Sequence, residues 1–461
     1  MFGKRKKGIL SIMGRLFGTD GARGIAVTEL TCELAMNIGR AAAMVLVNDE
    51  VKHPTILIGK DTRLSGDMLE GALIAGLCSV GANVKLLGVV PTPAVAYLVK
   101  KYNADAGVMI SASHNPFEFN GIKIFSSEGY KLPDDLENRI EEIVLDHAVP
   151  YATANDGEIG RVDTLESAVD DYINHVAEAV GEDLSGMEVA LDCSNGSSSR
   201  TAEKLFTKLG VKVHMLFDEP DGININKDCG STHTKKLQEY VRKNKLSAGL
   251  AFDGDADRCL AVDENGNLVD GDFLIAICAN DMKKNGKLKK NTAVGTVMTN
   301  MGFSKFCEAN GIDFVSTKVG DRYVLESMLQ NGYNIGGEQS GHIIFLDHST
   351  TGDGELSGAM LLSIMKRTGE KLSDLAKIME RYPQVLINVK VSNEGKLSFY
   401  TDKEVKAEIN RVTEILGDTG RILVRVSGTE PLVRVMLEGE NLEQIQTLAE
   451  EAAQVVRERL A

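Results

Sequence analysis

Three stretches of this chain follow one pattern, and that pattern constrains the fold more than any other feature. Residues 55–90 read TILIGKDTRLSGDMLEGALIAGLCSVGANVKLLGVV, residues 188–217 read EVALDCSNGSSSRTAEKLFTKLGVKVHMLF, and residues 292–317 read TAVGTVMTNMGFSKFCEANGIDFVST. Each runs from an apolar strand through a small-residue loop into an amphipathic helix, stops at glycine (Gly81, Gly210, Gly311), and resumes as a second apolar strand. This is the βαβ unit, and glycine suits the left-handed helix cap that other residues adopt at a cost. Unbroken strands such as ILIG and EVALD predict sheets covered on both faces. The copies lie too far apart for a solenoid, so they predict separate α/β domains of similar build.

The C-terminal stretch differs. RYPQVLINVKVS, a charged helix around 402–416, GRILVRVSG, PLVRVMLEGE and a last helix from Leu442 predict strand–helix–strand–strand–helix, a compact α+β layout. A length of 461 residues gives a prior of about three domains at roughly 150 residues each. The expected fold class is therefore α/β, with three similar α/β domains carrying mixed sheets and a smaller C-terminal α+β domain. The boundaries fall at 13–166, 167–266, 267–380 and 381–461. Residues 1–12, MFGKRKKGILSI, carry a basic cluster but no secretory apolar core, and are expected to be a disordered extension.

Net charge is −15, which argues against a nucleic-acid partner while leaving room for a small phosphorylated ligand in a local basic cleft. No run of 18 apolar residues predicts a membrane span. Seven cysteines without a CxxC pair read as reduced thiols of a cytoplasmic protein, not a disulfide framework. Glutamate-rich terminal helices suit a solvated face as well as a homodimer contact.

Four polar loops interrupt the apolar pattern, each following or joining strands, where α/β folds place their ligands. In the first, MISASHNPFEFNGIKIF (109–125), Ser113 stands beside His114 on a loop stiffened by Pro116, with Lys123 on the returning strand. The serine reads as a nucleophile or phosphate acceptor, or as part of a polar turn closed by Asn-Pro. The G-x-S-x-G elbow of hydrolases is missing. In the second, LAFDGDADRCLAVD (250–263), Asp253, Asp255 and Asp257 alternate between apolar strands. Three carboxylates so close repel one another unless a cation lies between them, and hard oxygen ligands point to Mg²⁺; the alternative is a solvated acidic turn. An EF-hand would also set Glu264 at its twelfth position, but it requires glycine where Arg258 stands. In the third, IGGEQSGHIIF (335–345), Glu338, Ser340 and His342 offer groups suited to sugar hydroxyls. In the fourth, RVSGTEP (425–431), Arg425, Ser427, Gly428 and Thr429 can cradle a phosphate, or form a hairpin turn.

LFGTDGARG (16–24), SASHNP (111–116), DGDADR (253–258), GEQSGH (337–342) and RVSGTEP (425–431), in that order, resemble the signature loops of the α-D-phosphohexomutase superfamily over roughly residues 13–461. The opening GRLFGTDGARG, the glutamine of GEQSGH and KVGDRYV (318–324) are most similar to its bacterial branch acting on glucosamine phosphates. The resemblance implies four domains around a central cleft. It implies interconversion of glucosamine 6-phosphate and glucosamine 1-phosphate through a phosphoserine enzyme and a 1,6-bisphosphorylated sugar, which acts as intermediate and activator. The product feeds UDP-N-acetylglucosamine and cell-wall synthesis. By the same resemblance Ser113 is the phosphorylated serine, and Asp253, Asp255 and Asp257 hold one Mg²⁺ with its phosphate. Glu338 and Ser340 contact sugar hydroxyls; Arg425, Ser427, Gly428 and Thr429 hold the phosphate that is not reacting. Arg23, His114 and Arg258 fall near the phosphoserine and the cleft, Arg258 as a substrate contact, and Lys123 and His342 match positions tied to proton transfer or orientation, with either open as the base. A lysine there serves as base only if its pKa falls, as a site crowded with Mg²⁺ and arginine would favour. Rival readings are a phosphoglucomutase or phosphomannomutase acting on neutral hexoses, a Mg²⁺-dependent phosphatase, and a non-catalytic sugar-phosphate sensor.

Overall fold

A computed structural model describes residues 15–18, 20–46, 53–427 and 431–461; the expected extension, 1–12, lies outside them. The described residues form four sheets and divide by packing into two compact units, one formed by residues up to 298 with 315–376, the other by 299–314 with 377–461.

The first unit holds the repeats. Its largest sheet has seven strands in the order Phe17–Gly18, Gly21–Ile25, Phe119–Ser126, Ala106–Ile110, Thr55–Lys60, Asn83–Val89 and Val162–Thr164. The last four run parallel and the first three antiparallel, so the sheet is mixed as expected. Thr55–Lys60 pairs with Ala106–Ile110 so that Lys60 lies opposite Ile110. The loops leaving both strands, Asp61–Ser65 and Ser111–Pro116, therefore emerge side by side. In the second sheet Ala248–Phe252 lies between Glu188–Asp192, parallel, and Cys259–Val262, antiparallel. The aspartate loop is the turn of that hairpin. The third sheet pairs Ile335–Gly337 with Ile343–Phe345, and the GEQSGH loop joins them. All three motifs thus leave the carboxyl ends of strands.

The glycines that end the repeats carry the left-handed φ expected of them: +89° at Gly81, +90° at Gly210 and +61° at Gly311. Beside the first repeat's helix, Gly66–Ser79, packs the preceding helix Cys32–Leu46, and the two bury Ile38, Ala42, Leu69, Leu73 and Leu77 in one core.

In the second unit, Gln384–Lys390, Leu432–Gly439 and Gly420–Val426 form an antiparallel sheet in that order, joined by helices Lys403–Leu416 and Leu442–Leu460. Val389, Val412, Leu437, Leu448 and Val456 fill its core. This is the α+β layout the sequence predicts. The third repeat's helix, Met301–Asn310, packs in this unit as well. Its N-terminus explains the attachment. Buried Glu438 accepts from the Met301 N–H at 3.1 Å, where a carboxylate complements the helix dipole. Asn300 exchanges two hydrogen bonds with the Tyr382 backbone.

Gly76 tests the helix pair of the first core. A Cβ there would stand 2.1 Å from the Met36 carbonyl oxygen. Gly76→Ala gains about 1 kcal/mol of helix propensity, but the overlap with packed backbone costs more, about 2–3 kcal/mol. Urea denaturation should show net destabilisation; a stabilised variant would mean the helices separate easily.

Candidate active site

Ser113 follows strand Ala106–Ile110 and takes a left-handed φ of +53°, with its side chain buried. Its Oγ donates to Asp253 Oδ2 at 2.7 Å and lies 3.4 Å from His114 Nδ1. Arg258 Nη1 donates to the same His114 nitrogen at 2.9 Å. Burial, then the Arg258 and Arg23 charges, hold the His114 pKa down at about 4, so at neutral pH the ring is uncharged and its Nδ1 accepts.

Asp253, Asp255 and Asp257 offer carboxylate oxygens within 4.8 Å of one another, all buried. Burial and the neighbouring Asp257 and Asp255 push Asp253 well above the usual carboxylate range. Asp255 goes the other way: burial opposes ionisation, but Lys123 and the Thr92 hydroxyl, 2.7 and 2.6 Å from Oδ2, hold it below its ordinary value. Lys123 itself lies 2.7, 2.9 and 3.5 Å from Asp255, Asp20 and Asp257. Burial alone would lower its pKa; the three carboxylates outweigh it and the net shift is strongly upward. The expected downward shift concerned the site with Mg²⁺ in it; the carboxylates alone act the other way. That expectation counted cations in the site and missed Asp20. Arg258 reaches Asp253 and Asp257 at 3.9 and 3.8 Å, and Arg23 pairs with Asp20.

The third loop is zipped to the second by backbone. Arg258 and His342 form a bridge, and the Cys259 N–H donates to the Gly341 carbonyl at 3.0 Å. His342 is buried with neither ring nitrogen hydrogen-bonded, its Nε2 3.5 Å from Asp321 and 4.0 Å from Asp257. A Cβ on Gly352 would stand 2.5 Å from that ring, so only glycine lets it lie there. Glu338 is partly buried and accepts from the Gly320 N–H at 3.0 Å; Ser340 is exposed. Gln339, which the sequence marks as distinctive, turns its amide to Asp270 at 3.3 Å.

Arg425 and Ser427 lie in the second unit. Arg425 pairs in register with Arg434, and burial with that neighbouring charge lowers its pKa. Ser427 is buried, its N–H donating to the Leu432 carbonyl at 2.8 Å. Gly428 and Thr429 lie outside the described residues.

The first unit thus brings Ser113, His114, Lys123, Arg23, Asp253, Asp255, Asp257, Arg258 and His342 into one linked cluster. The acidic set fits a hard divalent cation. Asp255 Oδ1 and Asp257 Oδ1 are buried without a hydrogen-bond partner, a costly arrangement for carboxylates unless an ion takes them up. Several members escaped the sequence reading. Asp20 and Asp321 stand inside quoted motifs, and both bind Lys131, with Asp20 at 2.5 Å. Thr92, Arg63 and Asn226 had no motif to mark them.

Comparison with known proteins places this geometry. Phosphoglucomutase/phosphomannomutase alpha/beta/alpha domains I, II and III match residues 14–148, 170–266 and 270–382, and the C-terminal domain of the same family matches 386–455. The chain belongs to the phosphoglucomutase/phosphomannomutase family. Among relatives, a phosphoglucosamine mutase of Acetivibrio thermocellus is 56% identical over 97% of this chain and 100% of its own. One of Clostridium novyi is 55% identical over 97% and 99%. A family protein from Burkholderia thailandensis shares the fold at a TM-score of 0.80 and 21% identity, over 98% of this chain and 99% of that one. The N-acetylphosphoglucosamine mutase of Aspergillus fumigatus, solved with GlcNAc-6P and magnesium, shares it at 0.70 and 18%, over 97% and 96%. No helix among the described residues of this family member is long and apolar enough to cross a membrane.

The His114 environment gives a titration to measure. Its folded midpoint of about 4 lies below the unfolded value of about 6.5, so the unfolded chain takes up this proton first. The group therefore subtracts stability as pH falls from about 6.5 through 4. Histidine-labelled NMR should show a neutral His114 at pH 6; a midpoint near 6.5 would contradict the contact with Arg258.

Proposed function

We propose that this chain is a phosphoglucosamine mutase, interconverting glucosamine 6-phosphate and glucosamine 1-phosphate in the cytoplasm, with Ser113 as the residue that carries the phosphoryl group. The observation that carries the reading is the buried Ser113 hydroxyl, 2.7 Å from Asp253, which clusters with Asp255 and Asp257, themselves reached by Lys123 and Arg258. The amino-sugar substrate is supported by the full-length relatives that bear this name.

The chemistry follows from geometry and charge. The two ends of a hexose cannot reach each other, so a direct shift from O6 to O1 is blocked. Phosphoserine solves this. Its Oγ–P bond breaks as a bond from phosphorus to the free sugar hydroxyl forms, and the hydroxyl proton passes to a base. The resulting 1,6-bisphosphate turns end for end; Ser113 Oγ then bonds to the other phosphorus as that sugar O–P bond breaks, and the released sugar oxygen takes back the proton held by the base. Phosphorylation adds about −2 beside three carboxylates. Lys123, Arg258 and Arg23 offset this, and Asp253, Asp255 and Asp257 would hold Mg²⁺. Bound there, Mg²⁺ supplies charge neutralisation for the transferring group. Lys123, with its pKa raised, acts as a fixed cation. His114 orients through Arg258. Glu338 and Ser340 read sugar hydroxyls present in both orientations, His342 supports proton movement beside Asp257, and Arg425, Ser427, Gly428 and Thr429 form the phosphate-anchoring loop of the C-terminal unit.

Ser113→Ala should abolish isomerisation while circular dichroism stays native; substantial residual turnover refutes the role. The wild type should convert glucosamine 6-phosphate faster than glucose 6-phosphate or mannose 6-phosphate. The reverse order would assign it to the neutral-hexose mutases, and release of inorganic phosphate alone to a phosphatase. Asp255→Asn should raise the Mg²⁺ concentration for half-maximal activity by at least about tenfold; an unchanged requirement contradicts its place in the ligand set.

A further inference from the structure

Arg63 is nearly inaccessible and lies on the loop beside the serine loop, two residues beyond the buried Asp61. Each of its five N–H donors has an acceptor. Nε donates to Asp61 Oδ2 at 2.9 Å. Nη2 donates to the carbonyls of Ser113 and Asn115 at 2.9 and 2.8 Å. Nη1 donates to those of Pro116 and Phe119, the latter at 3.0 Å. Three carbonyls of the serine loop, and that of Phe119 where the next strand begins, thus converge on one planar cation. A second line closes the ring: the Ser113 N–H donates to Ser111 Oγ at 3.0 Å, and Ser111 Oγ donates to Asp61 Oδ2 at 2.6 Å. From the second α/β domain, the Asn226 amide donates to the Ser113 and Asn115 carbonyls at 2.9 and 3.1 Å.

The arrangement does more than fill space. Ser113 sits at a left-handed φ of +53°, a conformation that costs a non-glycine residue about 1 kcal/mol or more. It persists only if the surroundings hold it. Its own carbonyl is where Arg63 and Asn226 meet, and its N–H is fixed by Ser111. Peptide groups on both sides of Ser113 are therefore pinned, which directs Oγ at Asp253. Neither Arg63 nor Asn226 touches the reacting hydroxyl.

We propose that Arg63, seconded by Asn226, is the positioning residue that holds the Ser113 loop in register with the aspartate cluster, so that its loss slows phosphoryl transfer to and from Ser113 while leaving sugar-phosphate binding nearly intact. This rests on the reading of Ser113 as phosphoryl carrier. Lysine cannot replace the fork, since a single ammonium lacks the span and the five donors. Displacing a reacting atom by about 1 Å can cost about 10²-fold in rate.

The test compares wild type, Arg63→Lys and Asn226→Ala in full-length protein. The rate of Ser113 phosphorylation by glucose 1,6-bisphosphate is followed by intact mass, and kcat and KM for glucosamine 6-phosphate are measured alongside. Arg63→Lys is expected to lower both the phosphorylation rate and kcat by about 10²-fold with KM changed less than about threefold. Asn226→Ala, which keeps the guanidinium, should lower them by about tenfold. If Arg63→Lys does not fold, Asn226→Ala decides alone. Folded variants whose phosphorylation rate and kcat stay within twofold of wild type overturn the clamp, as does a rise in KM with kcat unchanged. Wild type that takes up no phosphate overturns the carrier role of Ser113 as well. Normal wild-type phosphorylation with unimpaired variants removes the clamp alone.

Discussion

Buried negative charge is the constraint around which the first unit is arranged. Three buried aspartates lie within 4.8 Å of one another, with a partly buried fourth, Asp20, sharing Lys123 with two of them, and unopposed carboxylates so placed are costly. Cations answer from four segments: Lys123 from the strand after the serine loop, Arg258 from the end of the aspartate loop, Lys131 from beyond that strand, and Arg23 from strand Gly21–Ile25. The balance is uneven. Asp255 is held ionised by Lys123 while Asp253 is pushed the other way. That leaves Asp253 bonded to the Ser113 hydroxyl, and leaves two oxygens of Asp255 and Asp257 without partners. A site so charged fits a cation, and on the proposed reading only that cation lets it accept a phosphoryl group with its own negative charge.

The loops that bear these groups are tied to one another as well as to their sheets. Strand register puts the Asp61–Ser65 loop beside the serine loop, and Arg63 reads out that adjacency in hydrogen bonds. Backbone bonds join the aspartate loop to GEQSGH, and the Gly354 N–H donates to the Ala256 carbonyl at 3.0 Å from the other side. Side chains that must hold a transferring group within a fraction of an ångström are thus fixed by several independent attachments.

Much of this was legible in the chain. Apolar runs, amphipathic helices and stop glycines mark the repeats because local periodicity and φ preference act within a few residues. The aspartates stand out because alternation between apolar strands leaves charge nowhere else to go. Distant partners were not legible. The upward shift of Lys123 depends on Asp20, more than a hundred residues earlier, meeting Asp255 and Asp257 around one ammonium. Arg63 looks like any polar residue after a strand until pairing of Thr55–Lys60 with Ala106–Ile110 is known. Gln339 shows the converse: a distinctive letter in a site motif whose amide supports the helix cap Asp270.

In the proposed mechanism the phosphate carried off on the product is not the one that entered on the substrate. A single-turnover experiment with protein phosphorylated on Ser113 and glucosamine 6-phosphate bearing ¹⁸O in its phosphate tests it most directly. The account predicts labelled phosphate on Ser113 and unlabelled phosphate on the glucosamine 1-phosphate formed. Product that retains the heavy phosphate, with none on Ser113, would contradict it.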